Sequence, residues 1–431
     1  MAAPGNKFFI QENLKRTAPH HESFKALWET KWKIPCELGI YPFMYSATVD
    51  FQPVVDTIIA KGLKRPYNWD EYAQCFFPKA EELVARAKDA EDEGDLEKAS
   101  ELYLRGSALY RIARFPAPRS EKQMYAWKKG KEAAIQGLSL QEYPTTAVRI
   151  PHVHAANGDG PILNGFYHLP ASASASNQVP LVIIFTGLDG YRTELSVWKT
   201  GWAQLGVATL IVEIPGTGDN PGAPSDPASP DRVWDSMFDW VARQEGIDQG
   251  RIVNWGFSTG GYYSIRMAHT HADKLKGVVA LGGGVHHMFD PEWLDAVDDL
   301  EYPFDLAHTL CHKFGYTDFD QFKKEAQDKF SLLSNGILDK PCTRLLLVNG
   351  TEDEIFPIDD YYLCLLRGGP KEARFVPGTK HMGEPESFSI ILKWVFKLLD
   401  IEGDVGRFLS TIPFKPKYEI SGYRQLDTLN W

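Results

Sequence analysis

RIVNWGFSTGGYYSIRMAHTH, running from Arg251 to His271, changes its periodicity halfway along. Ile252 to Trp255 is a short apolar run that reads as a buried strand, and Tyr262 to His269 carries the spacing of a helix. Between them sits Gly256-Phe257-Ser258-Thr259-Gly260, a G-x-S-x-G turn. After a strand and before a helix, this turn places a serine on a sharp, strained corner with its oxygen pushed out above a parallel sheet. A Cβ at either glycine would collide with the neighbouring strand or helix. The helix that follows aims backbone N–H groups and a partial positive charge at any anion forming beside Ser258.

Working outward, Val179–Phe185, Val207–Val212, Gly277–Leu281 and Leu345–Asn349 are short, apolar and rich in β-branched residues, and most are separated by helix-length segments. Solid apolar strands of this kind are covered on both faces, which predicts an α/β fold with a mostly parallel central sheet. Thr146–Ile150 and Asn164–Leu169 read as antiparallel strands joined across Asn157-Gly158-Asp159-Gly160. Three units follow: a helical N-terminal cap over residues 1–141, a catalytic unit over 142–403, and a C-terminal extension over 404–431. In the first, Lys79–Glu93 and the stretch from Leu96 to Ala113 form a helical hairpin broken at Gly94-Asp95, and Ser120 caps a further helix. Within the second, residues 285–340 are a helical insertion with segments at Pro291–Leu300, Phe304–Phe314 and Phe319–Leu333. Its place between two sheet strands, above the edge where Ser258 emerges, is that of a lid or pocket wall.

The chain has 431 residues, too many for one ordinary core. Its net charge of −11 argues against nucleic acid or an anionic membrane as a partner. No apolar run approaches the ~20 residues of a membrane span, and the first residues lack the apolar core of a secretory signal. The five cysteines are odd in number, widely spaced and without a C-x-x-C pair, which suits reduced thiols in a cytoplasmic protein. Neither a phosphate-binding glycine loop nor a metal-ligand cluster is present, so no cofactor and no metal are expected. The partner expected is a small molecule.

A serine hydroxyl becomes a nucleophile when an imidazole takes its proton and a carboxylate holds that imidazole. In α/β-hydrolases the chain order is serine, acid, histidine. After Leu345–Asn349 comes Gly350-Thr351-Glu352-Asp353-Glu354, where Asp353 fits the acid best and Glu352 and Glu354 are rivals. Of twelve histidines only His381 lies beyond it, in a glycine-flanked loop after Ala373–Val376. An oxyanion hole needs two backbone donors. Thr259 supplies one, and Leu188, in Thr186-Gly187-Leu188-Asp189-Gly190-Tyr191-Arg192, the other. Asp189, Tyr191 and Arg192 then stand where they would face a substrate, although Asp-Gly is equally a plain turn pair. Tyr262 and Tyr263 are placed either to stack on a flat ligand or to pack. His286, adjacent to His287, is a further candidate for the pocket.

Several stretches carry a resemblance: LWETKWK from Leu27, TGLDGYR from Thr186, VEIPGTGD from Val212 and DPASPDRVWDS from Asp226. GGYYSIRMAHTH from Gly260, DPEWL from Asp290, EYPF from Glu301 and KFSL from Lys329 add to it. Together they resemble the fungal yellowish-green pigment hydrolases, α/β-hydrolases that shorten polyketides in melanin synthesis. The family's triad falls on Ser258, Asp353 and His381. The resemblance implies cleavage of a carbon–carbon bond, a heptaketide naphthopyrone being cut to tetrahydroxynaphthalene with release of acetoacetate. It also resembles the wider group of C–C hydrolases with a helical N-terminal cap, which implies a homodimer. The alternative is a carboxylesterase or lactonase acting on an aromatic polyketide-type ester with the same triad.

Overall fold

A computed structural model describes residues 14–156 and 158–413. Eight strands form one sheet: β1 Thr146–Pro151, β2 Ile162–His168, β3 Val179–Phe185, β4 Ala208–Val212, β5 Ile247–Phe257, β6 Gly277–Leu281, β7 Leu345–Gly350 and β8 Glu372–Val376. Their spatial order is β1-β2-β4-β3-β5-β6-β7-β8. The β1–β2 and β2–β4 pairs are antiparallel and all the others parallel. This is the α/β-hydrolase fold. The expected hairpin of β1 and β2 is present; Asn157, in its connection, lies outside the described residues.

The apolar strands divide their side chains between two cores with the period of two that a pleat imposes. Leu181, Ile183 and Phe185 of β3 join one cluster, and Val182 and Ile184 join the other. The first cluster lies under the helices Ser229–Ala242 and Thr259–Thr270. The second lies under Lys199–Gln204 and Glu386–Leu398. A short helix from Val405 to Ser410 closes that face, with Phe408 4.8 Å from the Trp202 ring. Of the described residues from 404 to 413, Val405 and Phe408 are buried and the rest are exposed or half-buried. Residues 414–431 lie outside the described residues.

Before the sheet come the helices Thr48–Ala60, Phe77–Asp92, Leu96–Ala113 and Glu121–Ser139, with shorter turns around Phe24–Leu38. The expected hairpin is Phe77–Asp92 against Leu96–Ala113. Asp95 accepts from Lys98 N at its corner, and Ser120 caps the next helix by accepting from Gln123 N. Gly106 allows the hairpin's close packing, since a Cβ there would stand 2.9 Å from Val84. The helix Thr48–Ala60 was not legible in the sequence, because Pro53 lies inside it.

The aromatic core of these helices is continuous with that of the insertion. Trp32, Tyr67, Trp69 and Tyr72 all meet Phe304 edge-on, at 5.2–5.9 Å. The insertion itself holds the helices Pro291–Ala296, Leu306–Lys313 and Phe319–Phe330, each shorter than the sequence suggested. The loops that leave β3, β4, β5, β6, β7 and β8 all open under these two helical layers. Between β3 and β5 the strand order reverses, which is where ligands bind in open α/β sheets.

Candidate active site

Ser258 follows β5 with φ 54° and ψ −123°, a conformation that an L residue adopts only when its surroundings force it. The forcing is visible at the two glycines. A Cβ on Gly256 would lie 2.1 Å from Ser264 Oγ, and one on Gly260 would lie 2.3 Å from the Thr186 carbonyl oxygen. The corner is packed from both sides, and the serine is what projects.

Ser258 Oγ lies 2.8 Å from His381 Nε2, and His381 Nδ1 lies 2.7 Å from Asp353 Oδ2. Asp353 is fully buried and His381 nearly so. The Asp353 carboxylate also accepts from Asn349 Nδ2 at 2.7 Å, Ile355 N at 2.7 Å and Phe356 N at 3.0 Å. Its rivals are turned elsewhere. Glu354 pairs with Arg16 and with Lys380, and Glu352 is exposed to solvent where Asp353 is buried. Asn349 ties Asp353 to the loop of His381, because its Oδ1 accepts from Met382 N at 2.9 Å while its Nδ2 holds Asp353. That asparagine, the last residue but one of β7, was missed in the sequence; a polar side chain following an apolar run was the signal.

Burial alone would lower the His381 pKa, but the Asp353 carboxylate overrides it, with help from Glu301 and Glu384, and the net shift is upward. Glu301 accepts from the backbone N–H groups of His381 at 3.4 Å and Glu354 at 3.3 Å. Burial raises its pKa, against the opposing charge of Lys31. Glu384 is pushed up to about 7, again by burial. Neither acid was singled out in the sequence.

Thr259 is the first residue of its helix, so its backbone N–H has no intrahelical acceptor. Across from it, the turn after β3 passes close by, since a Cβ on Gly187 would lie 3.9 Å from Ser258 Oγ. Leu188 is the next residue. Asp189, expected to face a substrate, is only 4% exposed and its carboxylate is occupied. It takes hydrogen bonds from the hydroxyls of Tyr41 and Tyr302 and from Arg111 Nη2 at 3.1 Å. Tyr191 lies beneath the Arg114 guanidinium, 3.7 Å from its ring centre, and edge-on to Trp127. Arg192 pairs with Glu213 and Asp219.

The remaining candidates are also held by protein groups. Tyr262 donates its hydroxyl to the Phe330 carbonyl at 2.7 Å, and its ring meets Tyr263, Phe289 and Phe314 edge-on. His286 Nδ1 is 2.7 Å from Ser331 Oγ, and His287 Nδ1 is 3.0 Å from Asp290. No group of three or more His, Cys, Asp or Glu among the described residues is arranged to hold a metal ion. No described helix is long and apolar enough to cross a membrane. A concavity of about 440 Å³ opens between Arg65, Tyr67 and Trp69 on one side and Asp298, Phe304 and His308 on the other. Ser258 is not among its lining residues.

Comparison with known proteins agrees with this fold. The chain is 24% identical over 313 residues to an esterase FrsA of Yersinia enterocolitica, covering 70% of this chain and 69% of that one. It is 24% identical over 302 residues to an esterase FrsA of Salmonella paratyphi B, covering 68% of this chain and 66% of the relative. Among solved structures, a 2,6-dihydroxy-pseudo-oxynicotine hydrolase superposes with a TM-score of 0.63 at 17% identity, over 82% of this chain and 94% of its own. AbyA5 superposes with a TM-score of 0.64 at 17% identity, over 89% and 97%. These structures share the fold. The profile of the esterase FrsA-like family matches residues 55–382, more than half of the chain and all three residues of the hydrogen-bonded line, and the chain belongs to that family of hydrolases.

Proposed function

We propose that this protein is a serine hydrolase that works through an acyl-enzyme. Ser258 is the nucleophile, His381 the general base and then acid, Asp353 the residue that holds the imidazole, and the Thr259 and Leu188 N–H groups the oxyanion hole. One observation carries this reading: Ser258 Oγ, both imidazole nitrogens and a buried carboxylate lie in a single hydrogen-bonded line of 2.8 and 2.7 Å. His381 takes the hydroxyl proton as Ser258 attacks a carbonyl carbon. The tetrahedral oxyanion collapses, the bond to the leaving group breaks, and His381 returns the proton to that group. Water, deprotonated by the same imidazole, then frees the acyl chain as a carboxylate.

The substrate in this reading is an aromatic polyketide, a naphthopyrone shortened to tetrahydroxynaphthalene with release of acetoacetate in pigment synthesis. The electron pair of the broken carbon–carbon bond passes to the aromatic fragment, where ring hydroxyls and carbonyls delocalise it. The pigment-hydrolase stretches support this choice. Membership of an esterase family supports a second reading, cleavage of an aryl ester or lactone by the same residues.

Incubating the purified protein with a naphthopyrone and with aryl esters, and reading products by mass, separates the two. Tetrahydroxynaphthalene and acetoacetate are expected, and their formation should fall about 10⁴-fold or more in Ser258→Ala. Rapid ester turnover beside an untouched naphthopyrone would exclude carbon–carbon cleavage. Undiminished activity in Ser258→Ala would remove the serine mechanism.

A further inference from the structure

The turn that carries Leu188 is poorly held by its own backbone. Gly187 N donates to Gly190 O at 3.0 Å, and the remaining constraints come from other parts of the chain. Arg114 Nη1 donates to the Asp189 carbonyl at 2.8 Å. The Asp189 side chain is gripped by Tyr41, in a turn of the N-terminal region, by Arg111 of the helix Leu96–Ala113 and by Tyr302 of the insertion, the last at 2.5 Å. A buried carboxylate held by donors from two other layers fixes the peptide beside it. Asp189 directly follows Leu188, the expected oxyanion donor.

Glu301, the preceding residue, reaches the opposite wall of the site, where it accepts from the N–H groups of His381 and Glu354. Two neighbours in sequence therefore touch the two loops whose spacing sets the reaction geometry. Their own backbone is pinned from the N-terminal side. Ala18 N donates to Asp299 O at 2.8 Å, His21 Nε2 meets Leu300 O at 3.0 Å, His20 Nε2 meets Tyr302 O at 3.1 Å, and Arg65 Nη2 donates to Asp298 O at 3.1 Å.

We propose that Tyr302 and Glu301 are positioning residues: Tyr302 acts through Asp189 to set the oxyanion donor at Leu188, and Glu301 sets the loop that carries His381. The proposal rests on the serine-hydrolase reading. A displacement of about 1 Å in such a donor is enough to cost on the order of 10²-fold in rate, and a transition-state contact is lost from kcat while KM is left in place.

The test uses the full-length protein with p-nitrophenyl acetate, together with labelling of Ser258 by a fluorophosphonate and thermal unfolding. Tyr302→Phe should lower kcat about tenfold or more with KM within about twofold, and should slow labelling in parallel. Ser100→Ala is the control, since Ser100 also donates a buried hydroxyl to a carbonyl, Gly137 O at 2.7 Å, about three helical turns from Arg111 along its helix. It should melt lower yet keep the parent kcat. Glu301→Ala should lose activity and Glu301→Gln, which keeps an acceptor for His381 N, should recover it at the pH optimum. The proposal is overturned if Tyr302→Phe keeps kcat within about twofold, or if Ser100→Ala loses as much as Tyr302→Phe does. Should Tyr302→Phe fail to fold, the Glu301 pair decides: equal losses in Ala and Gln, or none in either, overturn it. A parent protein that neither labels at Ser258 nor hydrolyses the ester sinks the serine-hydrolase reading instead.

Discussion

Ser258 sits in its unusual conformation because two glycines leave no alternative, and that makes the corner sensitive to one methyl group. Gly260→Ala would drive a Cβ to 2.3 Å from the Thr186 carbonyl oxygen, which belongs to backbone and cannot turn aside. We expect this variant to lose fluorophosphonate labelling by 10²-fold or more while circular dichroism still reports the sheet, in line with the cost of a misplaced nucleophile. Labelling at the parent rate would show that the corner tolerates a side chain. A second prediction concerns pH. His381 must be neutral to take the serine proton, and Asp353, Glu301 and Glu384 together raise its pKa above the ordinary histidine value. The acid limb of kcat/KM is therefore expected above pH 6.5, with activity lost as pH falls through it. Glu301→Gln removes one of the raising charges and should move that limb to lower pH. A limb that stays put, or moves upward, contradicts the assigned electrostatics.

Among elements, the short segment Asp298–Tyr302 does more than its irregular backbone suggested. It is clasped by two imidazoles that donate to its carbonyls, His20 Nε2–H to Tyr302 O and His21 Nε2–H to Leu300 O. Burial, with the His21 charge adding to it, pushes His20 down to about 3, and burial also lowers His21. A histidine whose folded pKa is depressed binds fewer protons folded than unfolded. Stability is therefore complete above about pH 6.5 and is lost progressively as pH falls from there toward 3. Melting temperatures between pH 7 and pH 4 should fall, and His20→Gln, which cannot protonate, should fall less. An equal decline in both proteins would remove this clasp as a cause. The helix Leu96–Ala113 has a similarly hidden task. Its apolar stripe was plain in the sequence, but Arg111 and the adjoining Arg114 lie on that buried side and pair with Asp189 and Glu194.

At the scale of the whole molecule, the N-terminal helices supply charges as well as cover. Removing residues before about 142 would strip Arg111 and Arg114 from Asp189 and Glu194 and would lay open the apolar core that those helices share with the rest of the chain. We expect the truncated protein to be inactive and poorly soluble, where a simple lid would leave a broader-specificity enzyme. A soluble truncated protein with the parent kcat on p-nitrophenyl acetate would show that these helices serve only as cover. The Ser258-to-His381 line could still form in such a fragment, since β5, β7 and β8 carry it.

The sequence by itself determined the sheet, the corner at Ser258 and the candidate acid and base. Strand hydrophobicity, glycine placement and chain order are local properties, and they survive reading one segment at a time. It also pointed to the loop after β3, though not to what Asp189 and Tyr191 do there. Only the tertiary structure decided that Asp189, Tyr191, Tyr262 and His286 spend their polar atoms or rings on the protein, and that Asn349, Glu301 and Tyr302 brace the site. Those partners lie from 4 to 148 residues away along the chain. A hydrogen bond between such distant groups leaves no periodicity behind, so its two halves read as unrelated polar residues until the fold brings them within 3 Å of each other.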